Sequence, residues 1–327
     1  MSSVTPKRDS FARRNLTLIA PVVVFLAFFG IGGLLFRNFF TLRVLLNLLT
    51  NNAFLGLAAV GMTVVIISGG IDLSVGAVIS TCAMIIAVLD RAGIGPLIAV
   101  PVSLLFSTGM GFLMGGMIQF FKAPPFIVTL AGMFFARGLG YVLSLSSIPI
   151  NGEFYKSMSY MGVRLGNAKL TVPAIMLLAA VLVTWYLLRH TRFGRTAYAM
   201  GGNEQSAFLM GLPVARTKIL IYTFSGLCSG IGGLAYVFYT VSGYGLAALG
   251  LELQAIASVV IGGTLLTGGF GSVIGTLVGV GIRGTILTFI SFQGNLNVYW
   301  TPIFVGTLLF VFIVLQRVFV AGTVRKK

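Results

Sequence analysis

Six acidic residues and one histidine are all that 327 residues offer for acid–base chemistry. The acids, Asp9, Asp72, Asp90, Glu153, Glu204 and Glu252, are scattered and form no carboxylate pair. His190 stands alone, which excludes a histidine-based metal cluster and leaves a hydrolytic triad without support. No Gly-Lys dipeptide occurs, so the chain has no phosphate loop for a nucleotide. No metal site and no cofactor is expected, and the chain does not read as an enzyme. If it pumps, the energy comes from a partner or an ion gradient.

What remains is polar chemistry inside apolar surroundings. Asp72 is the sharpest case, in the run Ser68-Gly69-Gly70-Ile71-Asp72-Leu73-Ser74-Val75-Gly76. A carboxylate at a membrane helix centre costs about 3 kcal/mol on insertion scales, so it needs a partner or water. Two readings stand. Asp72 caps a helix that starts at Leu73, or it acts directly in gating, substrate binding or proton handling. Arg137 and Arg283 lie midway along apolar stretches, where snorkelling or a bridge to a helix terminus or to Glu252 is the expectation. Asn47 and Asn51, four residues apart, share a helix face. That face suits a hydrophilic path for a polyhydroxyl solute, and interhelical hydrogen bonding suits it equally.

The elements that must hold these residues are membrane helices. Hydrophobic residues make up 57% of the chain and charged ones 9%, against about 25% charged in soluble domains. At roughly 20 apolar residues per crossing, this content suffices for about nine spans. Soluble enzyme, disordered chain and disulfide scaffold are excluded. The expected class is all-α, a polytopic transmembrane bundle of about ten helices with short Gly-rich breaks at membrane depth. The helices are expected at 16–36, 45–67, 74–90, 96–121, 126–146, 171–188, 219–240, 253–267, 271–291 and 300–316. The stretch Leu16 to Phe36 is too long for a cleaved leader and reads as the first span. One membrane domain, 16–316, is flanked by tails at 1–15 and 317–327.

In a soluble chain, a net charge of +16 would suggest nucleic acid; here it reports orientation, and no nucleic-acid partner is expected. With ten spans and a cytoplasmic N-terminus, fourteen basic residues fall inside. The outside holds six, Arg37, Arg43, Arg91, Lys156, Arg164 and Lys169, so both termini are expected in the cytoplasm. Cys82 and Cys228 read as small core residues. A faint likeness between residues 68–76 and 267–275 has two readings, an internal repeat or a chance coincidence of Gly-rich turns.

Two loops are substantial, an outer one at 147–170 and an inner one at 189–218. In the inner loop Asn203 is a good N-cap, Glu204 suits a first turn, and Gly211 with Pro213 forms a stop. A helix of about two turns with an apolar surface at Ala207, Phe208, Leu209 and Met210 follows. Alone in water it would be marginal, so this protein's own inner face or another subunit must hold it.

These residues resemble a known family. Ser68 to Gly76, Phe126-Ile-Val-Thr129-Leu130 with Ala136-Arg137-Gly138, Gly201 to Gly211, and Ile256 to Ser272 are similar to the ribose-type permeases of bacterial ATP-binding-cassette importers. Within that family, Asn52-Ala-Phe-Leu-Gly56, Phe134 to Gly138 and Ser147 to Asn151 most resemble one permease of the galactofuranose importer. The resemblance implies a bacterial inner-membrane subunit that passes a monosaccharide by alternating access. Implied partners are a second permease, identical or related, a pair of cytoplasmic ATPases, and a periplasmic sugar-binding protein. The family's coupling helix falls on Asn203–Gly211, so Gly201, Gly202, Asn203, Glu204, Ser206, Ala207, Met210 and Gly211 become candidates for ATPase coupling. Candidates for the path or gate are Asn47, Asn51, Ser68, Asp72, Ser74, Thr129 and Arg137. The six outer basic residues become candidates for meeting the binding protein. Two rival classes stay open: a stand-alone proton-coupled transporter using Asp72, and a membrane scaffold that moves nothing.

Overall fold

The computed structural model describes residues 11–294, 297 and 299–324. The tail charges Lys7, Arg8, Arg325, Lys326 and Lys327 lie outside the described residues. Each expected apolar stretch is helical. In order these are α1 (Phe11–Leu35), α2 (Leu42–Asn51) with α3 (Ala53–Ile67), α4 (Val75–Arg91), α5 (Pro96–Phe120) and α6 (Pro125–Leu143). After the loop at 147–170 come α8 (Val172–His190), α11 (Val214–Thr240), α12 (Leu251–Ile261), α13 (Val273–Gln293) and α14 (Trp300–Val324). That loop holds α7 (Glu153–Tyr160), and the loop at 189–218 holds α9 (Arg192–Gly202) and α10 (Glu204–Leu209). Helices α5, α6, α8, α11 and α13 are each long and apolar enough to cross a membrane, and α2 with α3 passes the same test only as a bent pair.

Several boundaries differ from the expectation, each for a local reason. The stretch 45–67 is two helices bent by 63° at Asn52. There the Asn52 amide donates to the Leu48 carbonyl at 2.9 Å, while its own oxygen is taken by Arg283. The stretch 253–267 is helical only to Ile261, because Gly263 adopts φ +92° and turns the chain. α11 starts at Val214, five residues early, directly after Pro213. Small strands also occur: β1 (Ile148–Pro149) pairs with β4 (Ser242–Gly243), and β2 (Gly162–Leu165) pairs with β3 (Ala168–Thr171) across a tight turn at Gly166, φ +60°. They staple the loop at 147–170 and leave the class all-α.

α3 is the axle of the bundle. Fourteen of its residues are buried, with α8, α11, α12 and α13 around it. A helix apolar on all sides belongs in such a position. α11 packs closely on α5 through two small-xxx-small pairs, Gly111 with Gly115 and Gly226 with Gly230. A Cβ on Gly226 would lie 3.1 Å from the Gly111 Cα and would overlap the Ser107 carbonyl oxygen. Gly226→Val therefore has no side chain to displace and must push the α5 and α11 backbones apart. It is expected to cost about 3 kcal/mol, the upper range of core overpacking, and to lower the unfolding midpoint in detergent. Cys82 and Cys228 are free and buried in this same region, as expected.

Candidate functional site

The loop at 189–218 is helical nearly throughout. Asn203, with φ −163° and ψ 112°, ends α9 and begins α10 in one residue, so no linker separates them. Its Oδ1 accepts the Ser206 N–H at 2.7 Å, the expected N-cap. Glu204 pairs with Lys218 at 2.5 Å on the surface. Gly211, φ +76°, supplies the left-handed stop. Ala207 is fully buried against Val214, Met200 and their neighbours, while Phe208, Leu209 and Met210 are 67%, 77% and 68% exposed. This protein's own residues therefore anchor one side of α10, and an apolar tip stays exposed on the other.

α9 was not expected from the sequence. It buries Gly194, Thr196, Ala197 and Met200, which pack it beneath α3 and α8. Its last turn meets both Gly-rich breaks. The Gly269 N–H donates to the Ile67 carbonyl at 2.9 Å, and the Tyr198 hydroxyl donates to the Gly271 carbonyl at 2.8 Å. Burial pushes the Tyr198 phenol above its ordinary range, which keeps that donor protonated. The two breaks that look alike in sequence thus lie side by side, and Thr63 and Thr276 hydrogen-bond between their flanking helices at 2.7 Å.

Asp72 lies on the non-helical stretch between α3 and α4 and is fully buried. Its Oδ1 accepts the Ser74 N–H at 2.9 Å and the Ser74 hydroxyl at 2.6 Å; Oδ2 accepts the Ser225 hydroxyl at 2.7 Å. The capping expectation shifts by two residues: α4 begins at Val75 with Ser74 as N-cap, and Asp72 reaches forward to Ser74 from outside the helix. Among the described residues no cation pairs with Asp72. Ser225 was missed, since a serine 153 residues away in an apolar helix gives no sequence signal.

The other candidates separate. Asn47 and Asn51 are exposed on α2. They lie at the far end of α3 from the breaks, about 22 Å away at 1.5 Å per residue of that 15-residue helix. Ser68, half-buried, bonds the Val65 carbonyl at 2.8 Å, and Thr129, buried, bonds its own helix at Pro125, 2.9 Å. Arg137 is 8% exposed. One guanidinium nitrogen donates to Ser80 Oγ at 3.1 Å and to the carbonyls of Gly245 and Ala247 at 3.0 and 2.8 Å, fixing the turn before α12. Arg283 donates to the Asn52 and Gln254 side-chain oxygens at 2.7 and 2.5 Å. Neither arginine forms the expected ion pair with Glu252, because neutral oxygens already satisfy them. Around the loop at 147–170, Arg43 Nε donates to the Asn167 carbonyl at 3.1 Å and Lys169 donates to the Tyr160 carbonyl, so two of the six cations expected outside brace that loop.

Residues 44–313 match the family described as branched-chain amino acid transport system / permease component. The chain is 48% identical to the inner membrane ABC transporter permease protein YjfF of Escherichia coli, covering 93% of each chain. It is 37% identical to the fructose import permease protein FruG of Bifidobacterium longum, over 94% of this chain and 93% of the other. To the ribose import permease protein RbsC of Bacillus subtilis it is 38% identical over 84% of each. No solved structure matches.

Proposed function

This chain belongs to that ABC importer permease family, and from there we propose that it forms half of a membrane pathway for a monosaccharide, opened by a separate ATPase. The observation that carries this reading is the α10 tip. Phe208, Leu209 and Met210 project from a capped, anchored helix, in a chain without a nucleotide loop of its own. An apolar knob presented from a rigid base is what an anchor into a partner's groove requires.

The proposed assembly has two permease chains, identical or related, a cytoplasmic ATPase pair and a periplasmic sugar-binding protein, in a bacterial inner membrane with both permease termini inside. The sugar names of two relatives support a pentose or hexose, and the motifs near Asn52, Arg137 and Ile148 favour galactofuranose within that class. A neutral solute suits the polar inventory: hydroxyls and amides are plentiful, and Asp72, Arg137 and Arg283 are occupied internally. Hydrolysis belongs to the partner, and this chain contributes the path, rocking between inward and outward openings.

Reconstitution tests the reading. Proteoliposomes holding the chain, its co-purified ATPase and the neighbouring binding protein should accumulate a labelled monosaccharide only with ATP on the ATPase side. Accumulation by this chain alone, collapsing with the proton gradient, would establish the rival secondary transporter. No flux in either format would leave a scaffold.

A further inference from the structure

At the inner ends of the two interrupted spans, three glycine-bearing segments meet backbone to backbone: Gly69 after α3, Gly201 at the end of α9, and Gly268-Gly269 after α12. A Cβ on Gly201 would overlap both the Ile67 carbonyl oxygen and the Gly269 nitrogen. A Cβ on Gly268 would lie 2.9 Å from the Gly69 Cα and 3.0 Å from the Gly201 Cα. Gly69, Gly268 and Gly269 take φ +82°, +83° and +75°, a left-handed geometry that favours glycine. The Gly269–Ile67 and Tyr198–Gly271 hydrogen bonds close the seam.

We propose that Gly201 is a positioning residue for transport, and that this seam carries movement of α9–α10 into both interrupted spans together. The proposal rests on the ATPase-coupled reading of α10 and names the route by which the push arrives. Asn203 caps both helices, so displacing the α10 tip displaces Gly201 three residues before Glu204. At the seam no flexible side chain stands between the backbones to absorb that displacement. Beyond it, one break leads through Asp72 into α4 and the other through Ser272 into α13. One rigid contact therefore drives two helices that enter the membrane from separate regions of the sequence.

The experiment compares the native chain, Gly201→Ala and a control, Gly109→Ala, whose added Cβ meets nothing within 4 Å. Each is co-purified with its ATPase and placed in lipid nanodiscs. Leu266→Cys, a position 43% exposed in the second break, reports the seam by maleimide labelling with and without ATP plus vanadate; the native cysteines are buried. In the native and Gly109→Ala chains, nucleotide is expected to change the labelling rate. In Gly201→Ala the ATPase is expected to co-purify as before while the nucleotide effect disappears and ATP-driven uptake falls about tenfold or more, the scale of a lost coupling between distant sites. Tyr198→Phe removes one hydroxyl and is expected to give a smaller loss in the same direction; it decides the matter if Gly201→Ala fails to accumulate in the membrane. An unchanged nucleotide response and unchanged uptake in Gly201→Ala overturn the proposal. Loss of ATPase binding in that variant overturns it too, by making Gly201 a member of the dock. Absence of any ATPase from the native chain instead refutes the proposed function, on which the seam depends.

Discussion

Phe208→Asp, Leu209→Asp and Met210→Asp together should abolish ATP-driven uptake while the chain still inserts and folds. The three side chains are exposed, so changing them removes no packing within this protein. What holds α10 in place is elsewhere: the Asn203 cap, buried Ala207, and Lys218 against Glu204. Bound in a partner's groove, each large apolar side chain contributes about 1.5–3 kcal/mol of burial. Losing three removes roughly 4.5–9 kcal/mol, a drop of about a thousandfold or greater in affinity. Three aspartates add charges that would have to be desolvated in the complex. The measurement is ATPase co-purified per permease chain, with uptake read in parallel. Uptake at the native rate from the triple variant would remove α10 from the coupling route.

α10 could be read in the sequence because its signals are local. Asn203, Glu204, Gly211 and Pro213 act on residues within one or two turns, and spacing alone exposes them. α9 had no such signature. Gly194, Gly201 and Gly202 read as loop residues, yet Gly194 is buried and Gly201 is required by a backbone contact that only the folded chain creates. The same limit governs the polar run 47–52. Asn47 and Asn51 do share an open face, but Asn52 turns inward, breaks the helix and meets Arg283, 231 residues away. Membrane spans show plainly in composition, since lipid demands long apolar runs. Which serine faces which aspartate is a tertiary fact, and a glycine that ends α12 six residues early looks like any other glycine in a membrane helix.

Asp72 gives the second large effect, through two substitutions that pull apart its structural and chemical roles. Asp72→Ala strips the acceptor from the Ser74 N–H and from the hydroxyls of Ser74 and Ser225, all buried. The hydroxyls can rotate to other acceptors, but the backbone N–H cannot. With hydrogen bonds to charged groups worth about 1.5–3 kcal/mol each, a net loss of about 3 kcal/mol is expected, offset to a degree by no longer burying a carboxylate. It should appear as a lower unfolding midpoint and a poor yield in the membrane. Asp72→Asn keeps the shape and one carbonyl acceptor. Its oxygen can serve Ser74 while its amide donates to a turned Ser225 hydroxyl, so the stretch from Gly69 to Val75 keeps its course. This variant is expected to fold and to import at a rate within about threefold of native, still driven by ATP, because a neutral amide satisfies the capping geometry but carries no titratable proton. Uptake and detergent stability measured on the same preparation separate the roles. A stable, well-assembled Asp72→Asn chain with no transport would make the carboxylate's proton a participant in the mechanism. Transport that survives confines Asp72 to holding a buried non-helical segment, whose backbone lacks the hydrogen bonds of a helix.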